Sequence, residues 1–150
     1  MDKNQIKTIL QQAKPDHIEW IKQGHKLLKG VPQEQIRKPE GNCDCLFGKW
    51  YSKEGFKMVN IPQLHSAEAL HKEIHNLYTA LYYITFDRRH KARSTVISAG
   101  VEMPVEEKAF RQKKLKVLEK KTIKLIRSLD GVEKKVTKMQ KKDFDSPWLS

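Results

Sequence analysis

Four side chains of this chain carry soft-donor chemistry at useful spacing. His71 and His75 stand four apart in His71-Lys72-Glu73-Ile74-His75, and Cys45 opens the run Cys45-Leu46-Phe47-Gly48-Lys49-Trp50-Tyr51. His17 lies upstream in His17-Ile18-Glu19-Trp20. Imidazole and thiolate are the ligands that a borderline-soft ion such as zinc selects. Two histidines at i and i+4 lie one above the other on a helix face, where they can grip one ion. An isolated pair of this kind is more often an ordinary surface feature, but Leu70 and Ile74 place this one beside an apolar stripe. Burial there favours the neutral imidazole that coordinates a metal. A lone cysteine is more often a small buried hydrophobe. Cys45 instead opens a short helix, where the dipole favours thiolate. Gly48, on the next turn, permits close helix–helix approach, and Trp50 and Tyr51 supply a bulky wall against water. Three nitrogens and one sulfur complete a tetrahedral zinc set if a helical bundle brings them together.

The elements that must position these residues read as all-α, because apolar residues recur at helical spacing and strand-like alternation is absent. The pattern predicts a short helix over 3–13. A second helix starts at Pro15 and Asp16, carries His17, and ends at Gly30 and Pro32. A polar connection follows to Asn42. A short helix then spans 45–52, capped by Asn42 or Asp44 and ended by Gly55. Asn60 and Pro62 open a long helix to about Ser98, with the stripe Leu70, Ile74, Leu77, Leu81 and Ile84. Gly100 to Pro104 break it. The last helix runs over about 105–142. Its seam of Leu115, Leu118, Thr122, Leu125, Leu129, Val132, Val136 and Met139 has coiled-coil spacing. The expected architecture is an up-down helical bundle of about four helices plus a short N-terminal one, with a long C-terminal helix. A single domain covers 1–142, and 143–150 form a frayed tail.

The 150 residues suffice for one domain with a core, and 32% of them are charged. No apolar run approaches the roughly 20 residues of a membrane span. The opening Met1-Asp2-Lys3-Asn4-Gln5 lacks the order of a secretory signal, so the expected compartment is the cytoplasm. Cys43 and Cys45 are separated by one residue, too close for an unstrained disulfide, which fits a reducing compartment and a metal or redox role. Net charge is +12. Residues 106–142 hold 14 lysines and arginines against 5 acidic residues, a net of +9. Basic character therefore belongs mainly to the last helix.

The order His-x-x-Trp, Cys-x-x-Gly-x-Trp-Tyr and His-x-x-x-His resembles the chemoreceptor zinc-binding domain, a bacterial cytoplasmic sensor module. The resemblance covers about residues 10–100. It implies that His17, Cys45, His71 and His75 bind Zn2+ within a helical bundle. It also implies a frequent homodimer, attached to chemoreceptors or diguanylate cyclases. Within these 150 residues no receptor hairpin, cyclase domain or transmembrane segment is read, so the domain is expected to stand alone with a basic helix behind it.

The expected function is therefore a zinc-binding sensor or regulatory module, with Cys45 as a zinc- or oxidant-responsive switch. It would signal through a protein partner in chemotaxis or cyclic-di-GMP-type regulation. An enzyme is not expected: four protein ligands leave no open position, and the only candidate base, Glu73, does not directly follow the first histidine. The alternative is binding of nucleic acid or an acidic partner through the basic helix. Nucleic acid is disfavoured, because the lysines surround a regular apolar seam and Phe110 is the only aromatic residue in that segment. Cys43, His25, His65 and His90 are read as surface residues, with Cys43 available as a resolving thiol.

Overall fold

The computed structural model describes residues 2–95, 105–140 and 143, with side chains described over 2–86, 107–140 and 143. Its helices are α1 (Lys3–Lys29), α2 (Leu46–Lys53), α3 (Pro62–Thr95) and α4 (Val105–Lys138), with 3-10 turns at Gln33–Gln35 and Gly55–Lys57. The last helix, expected to reach Lys142, stops at Lys138, and Met139 and Gln140 follow it outside helical geometry. The predicted break at Gly100–Pro104, the reach of the third helix to Ser98 and the tail after Asp143 lie outside the described residues.

The two helices expected on either side of Pro15 are one. α1 runs through Pro15 without interruption. A proline inside a helix costs about 3 kcal/mol. The buried face of α1 outweighs that cost: Ile6, Ile9, Leu10, Trp20 and Leu27 are all core, and each large apolar side chain contributes about 1.5–3 kcal/mol on burial. Pro15 itself points to solvent. Asp2 and Gln5 form a capping box at the start of α1, and Gly30 closes its end in the left-handed region at φ 81°.

α4 packs along both α1 and α3 and holds the bundle together. Lys14 pairs with Asp130 and Glu133 while His25 meets Glu119, so α4 runs antiparallel to α1. Lys121 pairs with Glu73, and Gly131 lies against Gln63, so α4 is antiparallel to α3 as well. Residues 30–61 carry the chain back between α1 and α3, with α2 on this return. Every member of the α4 seam, from Leu115 to Met139, is buried. The seam is consumed inside the bundle, and a second copy of the chain would need another face.

Candidate metal centre

The return segment brings Cys45 over the point where α1 and α3 face each other. His17 projects from α1 at 1% exposure, and His71 and His75 project from α3 at 0% and 3%. Cys45 is half-buried. One donor atom from each of the four lies within 4.8 Å of the other three. His17 Nε2 and His75 Nε2 are 3.3 Å apart. Cys45 Sγ is 3.0 Å from His71 Nε2 and 4.0 Å from His17 Nε2. A tetrahedral zinc ion at ordinary bond lengths sets its nitrogens about 3.3 Å apart and its sulfur about 3.6 Å from each nitrogen. The His17–His75 pair matches that spacing, while the sulfur sits about 0.6 Å too close to His71 and about 0.4 Å too far from His17, a small shift for zinc to take up.

The opposite ring nitrogens explain why the three Nε2 atoms are free. His17 Nδ1 donates to the Ala13 carbonyl at 2.7 Å. His71 Nδ1 donates to Glu68 Oε2 at 3.1 Å, and His75 Nδ1 donates to the Glu40 carbonyl at 2.9 Å. Each proton is thus held on Nδ1, and each Nε2 presents a lone pair to the centre. Two lone pairs facing across 3.3 Å repel unless a cation lies between them. The donor set fits zinc on chemistry as well as distance.

Burial sets the protonation states. Desolvation lowers His17 to about 3, and the neighbouring His71 and His75 add to the fall. Desolvation likewise lowers His75 to about 4. The same cause raises the Cys45 thiol to about 11, against the opposing hydrogen bond from Gly48. In the metal-free protein His17 and His75 are therefore ready to coordinate at neutral pH, and the Cys45 thiol must shed a proton.

α2 is built around this sulfur. Cys45 itself is the N-cap, where Asn42 or Asp44 was expected, and its Sγ accepts the Gly48 N–H at 3.3 Å. A Cβ at Gly48 would come within 1.6 Å of the Asn42 carbonyl oxygen. The glycine does permit a close approach, but to the 42–43 turn rather than to another helix. α2 ends at Lys53, capped by Glu54, and Gly55 begins the next turn. The aromatic wall also differs from expectation. Phe47 stands edge-on to His71 and Trp20 edge-on to His75, with centroids 5.0 Å and 5.9 Å apart. Trp50 packs one layer out, against Phe47, and Tyr51 stacks on the same ring.

Glu68 was not singled out in the sequence, although its place three residues before His71 puts it on the same helix face. It is 5% exposed and accepts from both His71 and Asn42 Nδ2. The Ala13 and Glu40 carbonyls left no signal, since any residue supplies one. The other candidates stand apart from the centre. His25 is exposed against Glu119. His65, expected at the surface, is half-buried: its Nδ1 accepts from the Tyr51 hydroxyl, and its Nε2 donates to the Met58 carbonyl. Cys43 is exposed. The His90 side chain lies outside the described residues.

Residues 17–82 match the model of the chemoreceptor zinc-binding domain family. The chain resembles that domain. The matched segment begins at the first of the four converging residues and takes in all of them; α4 lies beyond it. No curated protein and no solved structure matches the chain. Among the described residues, no helix is long and apolar enough to cross a membrane.

Proposed function

We propose that the chain is a zinc-binding sensor or regulatory module, with His17, Cys45, His71 and His75 as the ligands. The observation that carries this reading is the convergence of four lone-pair-bearing atoms whose other hydrogen bonds are already made. Bound zinc supplies a cross-link between α1, α3 and the Cys45 turn. Four protein ligands saturate a tetrahedral ion and leave no position for a substrate, which favours sensing over catalysis.

Cys45 is the releasable ligand. It stands in a turn, whereas the three histidines stand on long buried helices. Protonation takes it out of the set, as does two-electron oxidation by a peroxide, in which Sγ takes one oxygen as sulfenic acid and water leaves. The same Sγ caps α2 through Gly48, so its release loosens the start of that helix. A partner in chemotaxis or cyclic-di-GMP-type regulation would read the change. Homodimerisation, also part of the family setting, would use a face other than the α4 seam.

Metal analysis of tag-free protein beside Cys45→Ala and His75→Ala tests the site. About one zinc per chain is expected, weakened or lost in both variants. No metal, or metal indifferent to both substitutions, would end the reading. Hydrogen exchange across 42–53 tests the switch: faster exchange is expected in Cys45→Ala, and unchanged zinc affinity and exchange would rule it out.

A further inference from the structure

The outward face of α4 is a stripe of cations with no anion in it. Lys113, Lys116, Lys120, Lys124 and Arg127 follow one another at steps of three or four residues, and all are exposed. Lys134 and Lys138 continue the same face beyond Gly131. From 113 to 138 the stripe runs straight for about 37 Å. It lies opposite the buried seam that begins at Leu115.

A solvated helix ordinarily interleaves Glu and Lys at i, i+4. Here the acids have been drawn elsewhere. All three acidic residues between 113 and 138 are committed to α1: Glu119 to His25, Asp130 and Glu133 to Lys14. Glu73 of α3 takes Lys121. Among the described residues, no acidic side chain meets the seven stripe cations. Successive like charges one turn apart repel one another and destabilise the helix that carries them. An anionic partner relieves that repulsion.

We infer that this face docks an acidic α-helix of a partner protein, one bearing Asp or Glu at the same three- and four-residue spacing. Two helices share one pitch, so such a partner stays in register along the whole stripe. Duplex nucleic acid matches less well. α1 and α3 flank α4, so it cannot sink into a major groove about 12 Å wide. A single phosphate strand curves away from a straight stripe after a few contacts. The stripe holds one arginine and no aromatic residue, which leaves base-edge reading and base stacking without their usual side chains. The exposed Ile123 lies beside it and the exposed Phe110 one turn before it, two separate side chains that make no continuous apolar face for a membrane surface. The stripe lies outside the segment that matches the zinc-binding family, and the inference does not depend on the metal.

The test uses the full-length protein and an alanine-based helical peptide of about 28 residues, long enough to span the stripe. One version carries glutamates along a single face, and a second carries the same glutamates scattered around the helix. Duplex DNA of about 30 base pairs and phosphatidylserine vesicles are the competing ligands. The single-face peptide is expected to bind about tenfold or more tighter than the scattered one, and to lose about tenfold against Lys116→Glu/Lys120→Glu/Lys124→Glu. If circular dichroism shows that this variant has lost helix, the triple Lys→Gln variant is read instead, with a smaller loss in the same direction. Equal binding of the two peptides would reduce the stripe to a general polyelectrolyte. Tighter binding of DNA or vesicles than of the single-face peptide would reassign it. Each of these results overturns the inference.

Discussion

Glu68 decides which nitrogen of His71 is free. Its buried carboxylate accepts the Nδ1 proton, which turns the Nε2 lone pair toward Cys45. A carboxylate behind a ligating imidazole also raises its basicity. Glu68→Gln keeps an acceptor in place but removes the charge. We expect zinc affinity to fall about tenfold, at the low end for such outer partners, with circular dichroism unchanged. Chelator competition measures it, and an unaltered affinity would make Glu68 a merely structural residue. Glu68 was legible in principle, from its i−3 position relative to His71. The Ala13 and Glu40 carbonyls were not, because backbone acceptors have no side-chain signature.

At the scale of elements, two short-range features tie the helices to the centre. Gly48 is the first. Its missing side chain lets α2 begin against the Asn42 carbonyl, which keeps Cys45 Sγ within reach of the histidines. Gly48→Ala forces that turn apart. Thermal or denaturant unfolding is expected to show a loss of about 2 kcal/mol or more, accompanied by weaker zinc binding. A variant with wild-type stability and affinity would disprove the role. Pro15 is the second. The helical pattern through Leu10, Ala13 and His17 continues across it into Trp20, and the structure follows the pattern rather than the breaker. Pro15→Ala restores a backbone hydrogen bond on the exposed side of α1. A gain of about 1–3 kcal/mol is expected, with zinc binding unchanged. A destabilised variant would show that the proline is itself required. Residue-level punctuation misled here because packing of a long buried face outweighs one missing bond.

For the molecule as a whole, the centre links folding to pH and to metal. His17 and His75 titrate near 3 and 4 when folded, against a reference of 6.5. The unfolded chain therefore binds more protons between those values, and stability of the metal-free protein falls as pH drops from about 6.5 toward 3. Cys45 is raised to about 11 from a reference of 9.0. The folded chain there holds the extra proton, so stability falls again as pH rises from about 9 toward 11. Denaturant midpoints of zinc-free protein should form a plateau between these limbs, and a flat profile across both would contradict the burial of the site. Metal binding at pH 7 should release about one proton, that of Cys45, because burial already holds His17 and His75 neutral. Calorimetry in buffers of different ionisation enthalpy counts it. Zinc at about a thousandfold above its Kd should add ~4 kcal/mol to the folded state. A chelator should remove that gain, seen as a fall in Tm of roughly 10 °C.

The sequence by itself determined the helical class, the long α4 seam and the identity of the four soft donors. These depend on apolar periodicity and on side-chain chemistry, both written locally in the chain. It also showed that the basic residues gather in the last helix. Only the tertiary structure decided that α1 is one helix and that the α4 seam is buried within the bundle. It alone showed Cys45 as the cap of α2, and the acids of α4 turned toward α1 to leave the cations of its outer face without acidic partners. Each of these depends on which surfaces meet across long sequence separations. Packing, backbone hydrogen bonds and ion pairs between helices settle that, and no local pattern records it.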